Sequence, residues 1–259
     1  MLTYGSYLQL DSLLDLQKPV GPEPVSAELL FITVHQVYEL WFKLLLDALA
    51  AARDELLVGE LAAARHPLAR AHSLQRLFAE QIELLEKMTP REFAAFRGAL
   101  ERASGMQSVQ YREVEILSGA DGRKGLPNHM LTDDERLRLT RRMAEPSLWD
   151  GYLAALNASG LCTGTPADVA RALQDVVSAR GAGGRADVQA VTEDLRTYDA
   201  LAAAWRLRHF QLAERHLGTQ RGTGGTAGAE YLRKRIDRHF FPALWQSSDS
   251  SQYTETVVR

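Results

Sequence analysis

The stretch from residue 26 to residue 58, SAELLFITVHQVYELWFKLLLDALAAARDELLV, decides the fold class. Ser26 can cap the start of a helix, and Gly59 can end it. Between them the apolar residues recur at steps of three and four, the period of one helical face. They are Leu30, Phe31, Val34, Val37, Tyr38, Trp41, Leu44 and Leu45. Because this face is wide, the stretch predicts a central, buried helix.

The remainder of the chain also has helical patterns, separated by proline, glycine and capping residues. Thr89-Pro90-Arg91-Glu92 and Thr132-Asp133-Asp134-Glu135 both have the form of a capping box and predict helix starts. No segment alternates convincingly with period two, and no internal repeat is visible. We therefore predict an all-α, single-domain helical bundle over residues 1–259. Further helices are expected at 68–88, from 90 to a break at Ser104-Gly105, and at 106–118, 147–157, 166–179 and 186–217, with loops at 119–131, 180–185 and 218–229.

Composition and charge narrow the classes of function. The chain has 259 residues, 46% hydrophobic and 24% charged, and its net charge of -3 gives no reason to expect a nucleic-acid partner. The single cysteine, Cys162, cannot form a disulfide within the chain or supply a multi-thiolate zinc site. The N-terminus lacks the features of a signal peptide, and no uninterrupted apolar run reaches the ~18 residues of a membrane span. We expect a cytoplasmic protein with no membrane partner.

Two histidines lie on long apolar helices, His35 on the first and His209 on the predicted helix 186–217. A glycine-rich loop at 221–228 follows His209. A single histidine on an apolar face is usually structural, but two beside a flexible loop favour a metal or cofactor inside the bundle. The ligand spacings of zinc and di-iron sites are absent, whereas a porphyrin needs only one imidazole from the protein. His216, seven residues after His209, is too far along the helix axis to share one metal atom with it.

Arg97 and Thr223 each have two interpretations. Arg97 shares a helix face with Phe93 and Leu100, so it is either a surface arginine with an apolar stem or a clamp for a carboxylate at the edge of an apolar pocket. Thr223 lies in the glycine-rich loop, which lacks the ending and the preceding strand of a phosphate-binding loop. That loop is either a connector or a mobile lid whose hydroxyl meets a ligand.

Taken together, several segments resemble the tryptophan 2,3-dioxygenase family, and they occur in the family's order along the chain. They are Thr3-Tyr4-Gly5-Ser6-Tyr7-Leu8, Leu30 through Lys43 around His35, Thr89-Pro90 through Arg97, Ser104-Gly105-Met106-Gln107-Ser108, Glu145-Pro146-Ser147-Leu148, Trp205 through His209, and Gly222-Thr223-Gly224-Gly225. The resemblance implies haem b, with His209 as the proximal iron ligand and His35 accepting the indole N–H of the substrate. It also implies that Arg97 binds the substrate carboxylate and that Thr223 holds the ammonium and carboxylate end.

The same resemblance implies an apolar indole pocket and a multi-chain assembly. Phe31, Phe93 and Leu100 would wall the pocket, with Ser104 close to the haem. Two N-terminal residues, Tyr4 and Tyr7, match residues that reach into a neighbouring subunit's site, which implies a homotetramer.

The implied activity is insertion of O2 into the indole C2–C3 bond of L-tryptophan, giving N-formylkynurenine. Departures from the family pattern at Met106, at Thr226-Ala227 and at 202–204 could reshape the surroundings of the haem, and residues 119–185 match weakly. A relative that inserts one oxygen atom into a substituted tryptophan, such as a β-methyl derivative, would use the same residues. A haem or amino-acid sensor without turnover is a further alternative.

Overall fold

The structure, a computed structural model, describes residues 1–21, 26–120, 131–178, 185–218, 220–223 and 228–249. Within these ranges the chain is mostly helical and has no strand, so the all-α class predicted from the sequence is confirmed for them. The α-helices are α1 (Tyr4–Leu8), α2 (Leu10–Leu14), α3 (Ser26–Leu57), α4 (Leu61–Glu86), α5 (Pro90–Arg97), α6 (Val109–Ser118), α7 (Asp133–Ala144), α8 (Leu148–Ala158), α9 (Pro166–Ser178), α10 (Ala186–Leu217), α11 (Ala229–Arg233) and α12 (Pro242–Asp249).

The core forms where α3, α4 and α10 pack together, with α8 against the C-terminal half of α3. Val34, Tyr38 and Leu45 of the predicted apolar face of α3 are buried, whereas Leu44 of that face is 46% exposed. Gly151 allows α8 to approach α3, because a Cβ at this position would lie 3.0 Å from the carbonyl oxygen of Arg53. Gly59 follows α3 with a φ of +83°, a conformation that favours glycine.

The predicted start of the second helix was wrong. We expected it to begin after Pro67, but α4 begins at Leu61 and contains Pro67 in its interior. Proline removes one backbone hydrogen bond and crowds the preceding turn, which costs about 3 kcal/mol. Ala64, Leu68 and Ala71 are fully buried around it. We infer that this tertiary packing offsets the local penalty, which a pattern read along the chain does not take into account.

The capping boxes were predicted correctly, whereas the end of the third helix was not. Thr89 accepts from the backbone N–H of Glu92 at 3.2 Å, and the Glu92 carboxylate accepts from the N–H of Thr89 at 2.7 Å. The helix α5 ends at Arg97 and continues only as a 3-10 turn, Gly98–Leu100, after which Glu101 has a φ of +47°. The break therefore precedes the expected Ser104-Gly105, because this left-handed residue already turns the chain.

Four short helices, α1, α2, α11 and α12, were not predicted, because five to eight residues are too few to establish a period.

The segment around α12 is held against α10 by Asp199, whose carboxylate is fully buried. It accepts from the N–H groups of Phe240 at 2.9 Å and Phe241 at 3.2 Å, and from the indole of Trp245 at 2.9 Å. These charge-assisted bonds fix the C-terminal segment beside α10.

The helix α3 is long and apolar enough, by length and composition, to cross a membrane, although the core helix of a soluble protein passes the same test. Here one side of α3 packs against α4, α6 and α8.

Most of the predicted loops at 119–131, 180–185 and 218–229 lie outside the described residues, which exclude 121–130, 179–184, 219 and 224–227.

Candidate functional site

A cavity of about 630 Å³ lies among α3, α4, α6 and α10, and its lining also includes Gly222, Thr223, Gly228, Tyr231, Leu232 and Arg235. It brings together seven of the ten predicted site residues, which are Phe31, His35, Phe93, Arg97, Ser104, His209 and Thr223. Residues more than 180 positions apart in the chain therefore meet at one place. Its walls are mainly apolar, as expected for a site that binds an aromatic ligand.

His209 presents a neutral imidazole to this cavity. Desolvation lowers the pKa of His209 to about 4, and the electrostatic influence of His35 adds to the effect. The ring stacks on Trp205 with centroids 5.7 Å apart. Trp205 in turn donates from its indole N–H to the Tyr38 hydroxyl at 3.4 Å, and that hydroxyl donates to the Phe78 carbonyl at 2.7 Å. A neutral ring held in this way keeps a nitrogen lone pair available for a metal ion.

His35 has a defined tautomer. Its Nδ1 lies 2.7 Å from the carbonyl oxygen of Phe31. Because a carbonyl oxygen can only accept, Nδ1 must carry the proton, and a neutral ring then leaves Nε2 as an acceptor. Burial lowers the pKa of His35, with the bond to Phe31 acting in the opposite direction. The side chain can therefore accept a hydrogen bond from a ligand N–H.

Aromatic rings form the wall beside His35. The ring of Phe31 lies 4.1 Å from the His35 ring, 5.9 Å from Phe93 and 5.4 Å from Phe96, measured between centroids. Phe93 also meets His216 edge to face at 5.6 Å. This arrangement places aromatic rings next to a hydrogen-bond acceptor, which suits a ligand that has an aromatic ring and an N–H group.

Arg97 and the segment that carries Thr223 lie together at one side of the cavity. Nη1 of Arg97 donates to the Gln220 side chain at 2.6 Å, and Nη2 donates to the carbonyl oxygen of Arg221. The Nε of Arg97 is buried without a hydrogen-bond partner. Thr223 donates from its hydroxyl to the carbonyl of Ala103 at 2.5 Å. Arg97, the predicted carboxylate ligand, is thus hydrogen-bonded to the same 220–223 segment that carries Thr223.

The sequence did not single out a cationic part of the cavity wall formed by Arg112 and Arg206. Arg206 is buried, donates to the Arg238 carbonyl at 2.6 Å and lies 5.0 Å above the Phe240 ring. Arg112 bonds the Glu115 carboxylate at 2.5 Å. The Nε atoms of both arginines are buried without a partner. A buried arginine with an unmet donor is costly, so these atoms fit an anionic group bound in the cavity.

Some signal for these arginines was present in the sequence. Arg206 lies within the Trp205–His209 segment, and Arg112 follows the Ser104–Ser108 segment by four residues. Both segments were recognised, but only one histidine and one serine in them were given roles. Periodicity does not show which arginine has a buried Nε without a hydrogen-bond partner.

Three predicted site residues do not line the cavity. Tyr4 and Tyr7 are 76% and 70% exposed on α1, and Leu100 packs against the edge of the core. Leu13 and Leu16, farther along the N-terminal segment, line the cavity instead. In this single chain the N-terminal tyrosines are thus available for contact with another molecule.

The side chain of Gln36, the neighbour of His35, connects this N-terminal segment to α3. It donates to the carbonyl of Leu16 at 3.1 Å and accepts from Gln17 at 2.6 Å. These two bonds fix Leu16 at the cavity mouth, next to the residue that offers the acceptor for a ligand.

Over the described residues, fold and cavity together define a mainly helical protein with a cavity between α3 and α10, lined by His35 from α3 and by His209 and His216 from α10. A sequence model of the family described as "Tryptophan 2,3-dioxygenase" matches residues 1–160 and 180–251. The chain belongs to the tryptophan 2,3-dioxygenase family. The unmatched residues 161–179 fall inside the segment 119–185 whose resemblance was weak.

Individual relatives agree along nearly the whole chain. A protein named tryptophan 2,3-dioxygenase from a Nocardioides species is 47% identical over 249 residues, covering 94% of this chain and 92% of its own length. Proteins of the same name from Herpetosiphon aurantiacus and an Anaeromyxobacter species are 38% and 40% identical, each over 256 residues and 94% of this chain, and over 96% and 94% of their own lengths. The family therefore extends over the cavity and both histidine-bearing helices.

Proposed function

We propose that this protein is a haem-dependent dioxygenase that inserts both atoms of O2 across the indole C2–C3 bond of L-tryptophan, giving N-formylkynurenine. Membership of the family supports an oxidoreductase of this type. The observation that carries the proposal is the meeting of two neutral histidines and an arginine with an unmet donor in one aromatic-walled cavity. We further propose that residues 1–259 act as one domain in the cytoplasm.

The residues present fit haem b. His209 would be the proximal ligand, since one imidazole is all that a porphyrin iron requires from the protein on that side. Arg112 and Arg206 would hold the two carboxylates of the haem, which are the kind of anion their buried, unpartnered Nε atoms can receive. When bound, the haem would supply the iron that activates dioxygen. Ser104, whose hydroxyl caps the turn Gly105–Gln107, would lie close to it.

The protein residues would bind and orient the substrate. Nε2 of His35 would accept the indole N–H, and Phe31 and Phe93 would hold the ring. The carboxylate would bind Arg97, and Thr223 would hold the ammonium and carboxylate end. A ligand bound at both ends presents C2 and C3 of its ring in one orientation. Holding the reacting atoms in this way would be a large part of what the protein residues contribute to the rate.

The decisive experiment counts oxygen atoms in the product formed from L-tryptophan under isotopically labelled dioxygen. We expect a ring-opened product that contains two labelled atoms. One labelled atom in an intact ring would contradict the proposal and support a monooxygenase. Haem binding and ligand binding without oxygen-dependent turnover would support a sensor. Running ring- and β-substituted tryptophans in parallel identifies the preferred substrate by kcat/KM.

We propose that the protein assembles as a homotetramer in which the segment containing Tyr4 and Tyr7 completes a neighbouring subunit's site. The exposure of both tyrosines in the single chain supports this, because it leaves both rings accessible to a neighbouring chain.

Deleting residues 1–7 should therefore raise the KM for tryptophan and lower kcat without removing the haem. Activity and mass in solution are the measurements, with the double variant Tyr4→Phe/Tyr7→Phe as a control that keeps the rings. Full activity of the deletion variant would argue against a shared site.

A further inference from the structure

The two terminal nitrogens of the Arg97 guanidinium group already have hydrogen-bond partners, whereas its Nε has none. Nη1 donates to Oε1 of Gln220 at 2.6 Å, and Nη2 donates to the Arg221 carbonyl. Nε is buried and has no partner. Because the five N–H donors of arginine lie in one rigid plane, holding the two terminal nitrogens also fixes the direction of the Nε edge. That edge is the one left to receive a carboxylate.

The backbone of Gln220 is itself held, since its N–H donates to the Leu217 carbonyl at 2.9 Å. Gly228 has a φ of +62°, and a Cβ at that position would lie 2.3 Å from the carbonyl oxygen of Gln220. Only glycine permits this close approach. Three residues after Gln220, the Thr223 hydroxyl bonds the Ala103 carbonyl. Gln220 is exposed, so its side chain contributes little to the core, yet its amide oxygen lies at a set distance from Arg97.

We propose that Gln220 is a positioning residue for substrate binding, orienting Arg97 so that its Nε edge, with the second N–H of Nη2, meets the substrate carboxylate. This inference rests on the proposed function. Gln220 suits the role because its amide oxygen accepts a hydrogen bond without adding charge. A carboxylate in its place would neutralise Arg97 and compete with the substrate. The same contact connects Arg97 to the segment that carries Thr223. The side chains that would bind the carboxylate and the ammonium group of the substrate therefore move together.

The test compares Gln220→Leu with the haem-loaded wild type, using two ligands that differ only at the carboxylate. The dissociation constants of L-tryptophan and L-tryptophanamide are measured by calorimetry, and kcat and KM are measured for tryptophan. We expect Gln220→Leu to weaken tryptophan binding by about tenfold, with kcat within about twofold, because leucine keeps the bulk and loses the acceptor. Binding of the amide should change by less than about twofold, since it has no carboxylate for the Nε edge.

Gln211→Leu, an exposed glutamine on α10, is the matched control and should leave both ligands unaffected. Unchanged tryptophan affinity in Gln220→Leu would overturn the inference, and so would an equal loss for both ligands, which indicates a disturbed loop. Tighter tryptophan binding would also overturn it, because Gln220 would then compete with the substrate for Arg97. If the wild type neither binds nor converts tryptophan, the proposed function itself fails, and the inference with it.

Discussion

Replacing His209 with alanine is expected to abolish stable haem binding and to reduce oxygenase activity to background. The stacking on Trp205, and the chain of hydrogen bonds behind it, hold an imidazole in a cavity where desolvation keeps it neutral. Alanine supplies no ligand, and the other imidazoles among the described residues that line the cavity belong to His35 and His216. The measurement is the absorption spectrum after reconstitution with haem and gel filtration.

His216→Ala is the matched control for this experiment, because His216 also lies on α10 and lines the cavity. Its ring nitrogens are 2.9 Å from the Leu212 carbonyl and 3.0 Å from the Met88 carbonyl, so they bond backbone rather than facing an open position. We expect this variant to keep the haem spectrum of the wild type. In His209→Gly, added imidazole should restore the spectrum. A five-coordinate haem spectrum in His209→Ala without imidazole would show that the proximal ligand is a different residue.

The long helices could be predicted from the sequence because their signals are repeated many times. α3 and α10 each run for 32 residues, and the predicted bounds of each lie within one residue of the structure. The start of α4 could not be predicted in this way, since burial around Pro67 outweighs a local penalty. Short helices such as α1 and α2 bury no side chain and therefore leave no apolar period to detect.

From the sequence alone, only the types of residue that the chemistry requires could be predicted for the candidate site. His209 and Arg97 were candidates because an imidazole can bind iron and an arginine can bind a carboxylate. Their expected roles followed from the family resemblance, since the residues alone left a structural histidine and a surface arginine as alternatives. The tautomer of His35 could not be predicted, because it depends on where the Phe31 carbonyl points. Arg206 is likewise distinguished by an Nε without a partner, and Gln220 by one contact across 123 residues. Each of these depends on the folded arrangement, which no local pattern encodes.

Arg97→Leu is expected to cost about 2–5 kcal/mol in kcat/KM for tryptophan, which corresponds to roughly 30-fold to several thousand-fold. Leucine leaves the substrate carboxylate without a cation at the edge of an apolar cavity, and much of the loss is the penalty of an unpaired charge. It also releases Gln220 and Arg221, so the segment that carries Thr223 loses two of its contacts. We therefore expect both a higher KM and a lower kcat.

Two further variants separate the charge of Arg97 from its shape. Arg97→Lys keeps the positive charge but loses the planar fork, so it should recover part of the affinity for tryptophan without restoring the wild-type kcat. Arg91→Leu, an exposed position on the first turn of α5, is the control and should leave kcat/KM unchanged. With tryptophanamide the penalty of Arg97→Leu should shrink severalfold, because no carboxylate is left unpaired. If kcat/KM for tryptophan in Arg97→Leu equals that of the wild type, the carboxylate is bound elsewhere, and Arg97 serves only to hold the 220–223 segment.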